Sequence, residues 1–370
     1  MKIMQFVHAL VMGGAETLVK EYSMNFPKTE DVCVLCIERK NTPYEALLKS
    51  AGIRVIYVSD YYKPYKSKCL FGRIANYIKK NIVVRRIIRS EIPDVIHSHL
   101  ELNAFIKNAK PPKSVKLIFT VHSEVNKHWN SSRGRKRDLK AAKWLVKHYN
   151  MRFIALHERM RNEINELFGV NDTVVVGNGV DFSRFENLLT KEEKRNELSI
   201  PEDASVIGHV GRFIKVKNHE FLLSVFVEYL KLNPKGYLLL VGAGELLNDI
   251  KLLANSLGIS DKTLFLSNRM DVPEIMMAMD YFVMPSFYEG LPVVLIEAQK
   301  AGLKCVTSTA VTHEAVVTGG VKQISLENTP LQWAKAIDEF QYNTSFDNTI
   351  DNWDIKNVIE KLLQIYRSEI

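Results

Sequence analysis

Residues 284–302 read Met-Pro-Ser-Phe-Tyr-Glu-Gly-Leu-Pro-Val-Val-Leu-Ile-Glu-Ala-Gln-Lys-Ala-Gly, and this stretch decides the fold. The preceding run Asp280–Met284 is short and apolar, the pattern of a strand buried in a parallel sheet. A loop then carries Glu289 and Gly290, and Pro292 stands where a first helical residue is favoured. Val293–Lys300 has helical periodicity, and Gly302 is a stop signal. A strand, a glycine loop and a helix N-terminus therefore follow one another, with Glu289 before the helix and Glu297 about a turn inside it. Backbone N–H groups and the positive end of the helix dipole converge there, which suits a phosphate. Two carboxylates beside a phosphate site can hold neighbouring hydroxyls, as on a ribose and a sugar. Taken alone, the segment also fits a strand–turn–helix unit of any α/β protein, with two solvated glutamates.

Outward from it, strands and helices alternate. Lys2–Val7 reads as the first strand, and the loop containing Gly13 and Gly14 leads into a helix through Tyr22. Strand-like runs recur at Val32–Ile37, Arg54–Val58, Asp94–His97, Lys116–Val121, Phe153–Leu156 and Thr173–Val176. This alternation predicts a parallel, doubly wound sheet. After the turn Asn178-Gly179-Val180-Asp181 and the polar stretch Lys191–Leu198, a second series begins. Its runs are Ser205–Val210, Tyr237–Val241, Thr263–Leu266, Tyr281–Met284, Lys304–Thr307 and Val321–Ile324. The expected organisation is a domain over 1–180, a domain over 181–352 and a final helix within 353–370. Two such units facing one another make a cleft lined by the loops after the strands.

At 370 residues the chain is long enough for two domains. It has no apolar run near the ~18–20 residues of a membrane span, and its start lacks the core and cleavage site of a signal peptide. A cytoplasmic location is the expectation. Four cysteines make no disulfide framework. Cys33 and Cys36 form a C-x-x-C inside a strand-like run, with no second pair at zinc-ligand spacing, and read as buried thiols. Residues 1–180 hold about 31 Lys and Arg against 16 Asp and Glu, whereas 181–370 hold about 19 against 26. The first half is thus expected to meet something anionic: nucleic acid, an anionic membrane surface or a lipid-linked pyrophosphate.

Several other stretches bear chemistry. Gly13-Gly14-Ala-Glu16 opens a helix where bare backbone can approach a phosphate, although a plain turn explains it equally and it is neither a dinucleotide fingerprint nor a Walker A loop. Gly208-His209-Val-Gly211-Arg212-Phe-Ile-Lys-Val-Lys217-Asn218-His219 offers an Arg fork and a Lys point charge to phosphate oxygens, with Lys215 as the alternative lysine. Gly242 and Gly244 let a backbone pass near a nucleotide. Asp271, in Leu266-Ser-Asn-Arg269-Met270-Asp271, is placed to cap the helix starting near Pro273. His97 and His99 are read as following one strand and His122 as following another, where loops enter the crevice. For His97 and His99 a structural role is favoured, for His122 a functional one. Two basic regions stand out. One runs from Tyr61 through Lys68, Arg73, Lys79, Lys80, Arg85, Arg86 and Arg89, with Phe71, Ile74, Ile78 and Ile82 at helical spacing. The other is Arg133-Gly-Arg135-Lys136-Arg137 with Lys140 and Lys143. Each fits a helix on an anionic membrane or a helix packing its apolar stripe on the sheet; the charge asymmetry favours the membrane.

Glu289-Gly-Leu-Pro followed by Glu297 resembles the E-x7-E signature of family-4 retaining glycosyltransferases of GT-B fold. The resemblance extends over the chain: a GGAE loop at Gly13, D-V-I-H at Asp94, T-x-H ending at His122, N-G-V-D at Asn178 and G-R…K at Arg212. Thr312-His313-Glu314 and the wording around Glu297 resemble the EpsF-like type of polysaccharide biosynthesis, where Lys is commoner at the position of His313. The resemblance implies two Rossmann-like domains facing a cleft, the first holding acceptor and the second a nucleotide-sugar donor, with the final helix returning to the first. It assigns Arg212 and Lys217 to the diphosphate, Glu297 to the ribose, and Glu289 with the Gly290–Leu291 backbone to the sugar. His122 would meet the sugar's other edge, Gly13 and Gly14 the diphosphate and acceptor, and the Arg269–Met270 neighbourhood the base. His122, Arg212, Lys217 and Glu289 are then the catalytic set.

The implied reaction moves a hexosyl or N-acetylhexosaminyl group from a UDP-sugar to a glycan or lipid-linked glycan. It needs no cofactor and no metal, in keeping with the absence of a D-x-D string. In this family retention is discussed as front-face displacement assisted by the leaving phosphate, so the glutamates are not a glycosidase acid and nucleophile. Closure of the two domains would assemble the site and exclude water. Three other readings remain: a non-hydrolysing nucleotide-sugar epimerase of the same fold, a basic nucleic-acid-binding protein (though no RNA or DNA motif is present and no nucleic acid is expected), and a silent partner subunit that binds donor only.

Overall fold

A computed structural model describes the chain except residues 12, 66–68, 123–124, 126–128, 130–132, 268, 346–348 and 369–370, and the backbone alone at 133–134. Lys68 and the Arg133 side chain, named above, lie outside the described residues. Two compact units are present, Met1–Gly179 with Ile355–Ile370, and Val180–Asp354.

The first unit is a seven-stranded sheet: β1 Lys2–Val7, β2 Asp31–Cys36, β3 Arg54–Tyr57, β4 Val95–His99, β5 Lys116–Thr120, β6 Arg152–Ala155 and β7 Val174–Val175. Its order is β3-β2-β1-β4-β5-β6-β7 with every pairing parallel. Central strands are buried along nearly their whole length, as expected where helices cover both faces. Strand ends differ from the sequence reading by a residue or two, with one consequence. β4 runs on through His99, so His97 and His99 lie inside the strand and not in the loop after it. Their polarity resembled a loop; the fold buries both and gives each ring nitrogen a partner.

The final helix, Ile355–Arg367, packs on this sheet. Ile355, Val358, Ile359, Leu362, Leu363 and Tyr366 recur at spacings of three and four and join Ile3, Tyr22, Val95 and Ile118 in one core. Lys116 donates to the carbonyls of Tyr366 and Ser368 at 2.9 and 2.8 Å, a cation on the negative end of the helix. Gly179 is where the chain passes this helix: a Cβ there would stand 2.6 Å from Ile355 Cδ1.

The two basic helices of this unit differ. In Arg133–Tyr149, Ala141, Ala142 and Leu145 are buried, Arg135 pairs with Glu101 at 2.6 Å, and Arg137 lies over the Tyr77 ring. That helix is a packed structural element. In Leu70–Glu91 the buried face is Val83, Val84, Ile87 and Ile88, while Phe71, Ile74, Ile78 and Ile82 are exposed. The stripe noticed in the sequence is therefore not the one that packs on the sheet.

The second unit is a six-stranded parallel sheet: β8 Ser205–Val210, β9 Gly236–Val241, β10 Thr263–Leu266, β11 Tyr281–Met284, β12 Lys304–Ser308 and β13 Val321–Ile324. Its order is β10-β9-β8-β11-β12-β13. The core joins Ile207, Leu238, Leu240, Val283 and Val306 to Leu222, Phe226 and Tyr229 of the helix His219–Leu232 and to Trp333. Both sheets thus reverse strand order once, between β1 and β4 and between β8 and β11. Loops leaving the C-terminal ends of those strands open the crevice where ligands bind in open α/β sheets.

Candidate active site

In the second unit the loops after β8 and β11 flank the switch point, and they carry the residues singled out in the sequence. The two loops are stitched together. Phe287 donates its N–H to the Val216 carbonyl at 2.9 Å, and Asn218 Nδ2 donates to the Pro285 carbonyl at 3.1 Å. Asn218 takes a left-handed conformation at the start of the helix His219–Leu232, φ 57°, a conformation Asn tolerates better than most residues. This turn aims Lys217 at the other loop, where its Nζ lies 2.6 Å from Glu289 Oε1. Both side chains are largely shielded, at 15 and 13% exposure. Lys215 points to solvent, which separates the two candidate lysines. Arg212, on the same loop, is exposed and makes no ion pair among the described residues.

Glu297 lies in the helix Val293–Lys300, which Pro292 precedes as cap residue and Gly302, φ 75°, follows. Its Oε1 is 3.3 Å from Arg184 Nη1, a partner the sequence did not announce. Gly290 is half-buried in the loop and Leu291 is buried. The loop after β8 also leans on that after β9. Gly211 donates to the Val241 carbonyl and Phe213 to that of Ala243. Gly242, φ 151°, has no room for a Cβ, which would lie 2.0 Å from the Gly211 oxygen; at Gly244 the same atom would meet the Phe213 oxygen at 2.4 Å. These glycines are required by backbone packed on backbone, which accounts for them without a nucleotide.

Beneath this loop lies a histidine pair that sequence reasoning passed over. His209 Nδ1 is 2.7 Å from the Val283 carbonyl. A carbonyl only accepts, so Nδ1 carries the proton and Nε2 presents a lone pair. Among the described residues that Nε2 is without a hydrogen-bond partner, as are both ring nitrogens of His219, which stacks on Phe213 with centroids 4.2 Å apart. Burial drives the pKa of His219 down to about 4 and holds that of His209 well below its ordinary value. Both rings are neutral at physiological pH.

After β10 the structure corrects the reading of Asp271 as a helix cap. Arg269 is committed to Asp271, Nε–Oδ1 2.7 Å, and to Glu197 at 3.1 Å, while Lys194, buried, meets Asp271, Glu197 and Glu274. Asp271 occupies the cap position of the helix Val272–Met277 but makes no side-chain cap bond. Its carboxylate is taken by the two cations instead, and the Arg269 hydrogen bonds hold its pKa far below the usual range. Met270 is half-exposed, and Asn268 lies outside the described residues.

In the first unit Gly13 caps the helix Gly14–Asn25, and a Cβ on it would meet Glu16 Oε2 at 2.5 Å. Among the described residues no atom lies within 4 Å of the corresponding position at Gly14. His122 follows β5, and its Nε2 lies 2.9 Å from His99 Nδ1. His99 Nε2 in turn reaches Gln5 Oε1 at 2.8 Å, and His97 bridges Tyr366 and Thr120 at 2.5 and 2.7 Å. Burial lowers the His97 pKa to about 3 and that of His99 also far below normal. His97 and His99 are thus a neutral, buried support on which His122 rests.

Among the described residues no group of three His, Cys, Asp or Glu is placed to hold a metal ion. Cys33 and Cys36 are buried in β2, with burial pushing the Cys33 thiol up to about 12. A concavity of about 470 Å³ lined by Lys191, Asp203, Met279 and Lys304 sits at the opposite, N-terminal ends of β8, β11 and β12 and contains none of these residues.

Two open parallel sheets, each with one switch point, have the architecture of the GT-B fold. HepE of Anabaena, in complex with UDP and glucose, superposes with a TM-score of 0.77 over 100% of each chain at 18% identity, which speaks for the fold. Glycosyltransferase Family 4 matches residues 12–184 and Glycosyl transferases group 1 matches residues 190–352. The chain belongs to the family-4 glycosyltransferases. EpsF of Bacillus subtilis is 38% identical over 43% of this chain and 42% of its own length. The UDP-Gal:alpha-D-GlcNAc-diphosphoundecaprenol alpha-1,3-galactosyltransferase of Escherichia coli is 28% identical over 71% of this chain and 70% of its own. The match to EpsF therefore spans less than half of that relative.

Proposed function

We propose that the protein is a retaining, metal-independent transferase. It moves a hexosyl or N-acetylhexosaminyl group from a UDP-sugar to a hydroxyl of a glycan or lipid-linked glycan in cell-surface polysaccharide biosynthesis. The observation that carries this reading is the pairing of Lys217 with Glu289 across the β8 and β11 loops, with Arg212 on the same loop as Lys217 and in no ion pair among the described residues. A nucleoside diphosphate at the switch point takes the Arg212 fork on its phosphate oxygens and shares the Lys217 ammonium with Glu289. Glu289, so oriented, accepts hydrogen bonds from sugar hydroxyls, and the Gly290–Leu291 N–H groups add to them. Glu297, held by Arg184, faces the ribose hydroxyls.

As the bond from the anomeric carbon to the phosphate oxygen breaks, negative charge grows on the diphosphate. Arg212 and Lys217 stabilise it there, the work a metal does elsewhere. The acceptor oxygen forms its bond on the same face, and its proton passes to the leaving phosphate oxygen. The family resemblance assigns His122 to the transferred sugar, and Gly13 and Gly14 to the diphosphate and the acceptor. A UDP-using galactosyltransferase acting on a diphosphoundecaprenol-linked sugar among the relatives, and a UDP complex among the similar folds, support the donor and acceptor classes.

The test is transfer from a panel of UDP-sugars to polyprenyl-diphosphate-linked acceptors. Glu289→Ala and Lys217→Ala are expected to lose on the order of a hundredfold or more in rate, with folding unchanged by circular dichroism. Wild-type rates in either variant would remove the assignment, and conversion of the UDP-sugar without acceptor would favour the epimerase reading.

A further inference from the structure

The helix Leu70–Glu91 presents an apolar stripe to solvent. Leu70, Phe71, Ile74, Ile78 and Ile82 are between 49 and 76% exposed, although Val83, Val84, Ile87 and Ile88 already fill the face turned to the sheet. From Phe71 the stripe advances by three, four and four residues, so it is one line along the helix. Continuing that line at the same spacing are Arg85 and Arg89, with Arg86 beside them, all exposed. None of the three makes an ion pair among the described residues. Nearby acids are already occupied: Glu91 by Arg54 and Lys2, Asp60 by Arg39, Glu38 by Lys40 and Lys80. Tyr65, itself half-exposed, is tied along the helix by two bonds to Asn76 and carries the Lys79 ammonium 3.9 Å above its ring.

Contiguous exposed apolar surface of this kind marks an interaction face. Its occupant must take bulky side chains at one end of the helix and three cations at the other. A second copy of the chain fits poorly. Across a twofold axis, antiparallel helices set the arginines against the bare stripe, and parallel ones set them against each other. The boundary of an anionic bilayer satisfies both ends at once, with acyl chains for the stripe and lipid phosphates for the cations. We propose that Leu70–Glu91 lies in the surface of an anionic membrane, inserting Phe71, Ile74, Ile78 and Ile82 and placing Arg85, Arg86 and Arg89 on the headgroups.

Cosedimentation of the full chain with vesicles tests this. Equimolar phosphatidylcholine and phosphatidylglycerol vesicles should bind the protein in a salt-sensitive way, and phosphatidylcholine alone should bind it little. Phe71→Gln/Ile74→Gln/Ile78→Gln/Ile82→Gln should lower the partition coefficient about tenfold or more. Arg85→Gln/Arg86→Gln/Arg89→Gln should lower it on the order of a hundredfold at low salt and flatten the salt dependence. If one variant fails to fold, the other decides. Wild-type partitioning in both variants, no binding to the mixed vesicles, or a solution dimer that the glutamine stripe makes monomeric would overturn the proposal. No sugar donor enters the measurement, so it stands apart from the transfer assay.

Discussion

At residue scale the site is a matter of which polar group holds which. Lys217 and Lys215 are two positions apart, yet among the described residues only Lys217 meets a carboxylate, because the left-handed turn at Asn218 points it at Glu289. Gly242 sets a sharper condition. At φ 151° with the Gly211 oxygen 2.0 Å from its absent Cβ, Gly242→Ala is expected to cost about 2–4 kcal/mol in denaturant unfolding. A loss near zero would show that the two loops part easily. The cations and acids were legible in the sequence because phosphate chemistry needs those types on loops after strands. Arg184 and the His209–His219 pair were not. Arg184 reaches Glu297 across 113 positions, and nothing local marks a histidine whose neighbours are supplied by β11 and Phe213.

Neutral buried histidines are most of what the elements cost in acid. His219, His209, His97 and His99 have native pKa values below the unfolded value near 6.5. Between that value and their native ones the unfolded chain binds more protons, so stability falls as pH drops from about 6.5 toward 4. Asp138, raised to about 6 by burial, acts in the opposite sense over part of this range, and four groups outweigh one. His219→Phe, which keeps the stack on Phe213, should recover on the order of 1–2 kcal/mol at pH 5 relative to pH 7; an unchanged pH slope would contradict the neutral assignment. The final helix is an element whose periodicity was plain and whose importance was not. Leu362→Ala should cost about 2–5 kcal/mol, and Tyr366→Phe about 1–2, because His97 Nδ1 then loses its partner, each read from urea unfolding. The helix Leu70–Glu91 went the other way. Its stripe was visible in the sequence, but periodicity alone gives no sign of which of two apolar lines faces the sheet.

For the whole molecule, alternation of strand and helix was enough to read two doubly wound sheets. What alternation does not contain is strand order, and the order creates the two switch points. In the second unit the switch point gathers Arg212, Lys217 and Glu289, drawn from stretches some eighty residues apart, beside one crevice. This trio is proposed to receive the diphosphate of a nucleotide-sugar. Calorimetric titration of UDP into the wild type and into Lys217→Ala, at equal ionic strength, tests it most directly. A saturable site is expected in the wild type, with affinity weakened about tenfold or more in the variant. Equal affinities in the two proteins would contradict it.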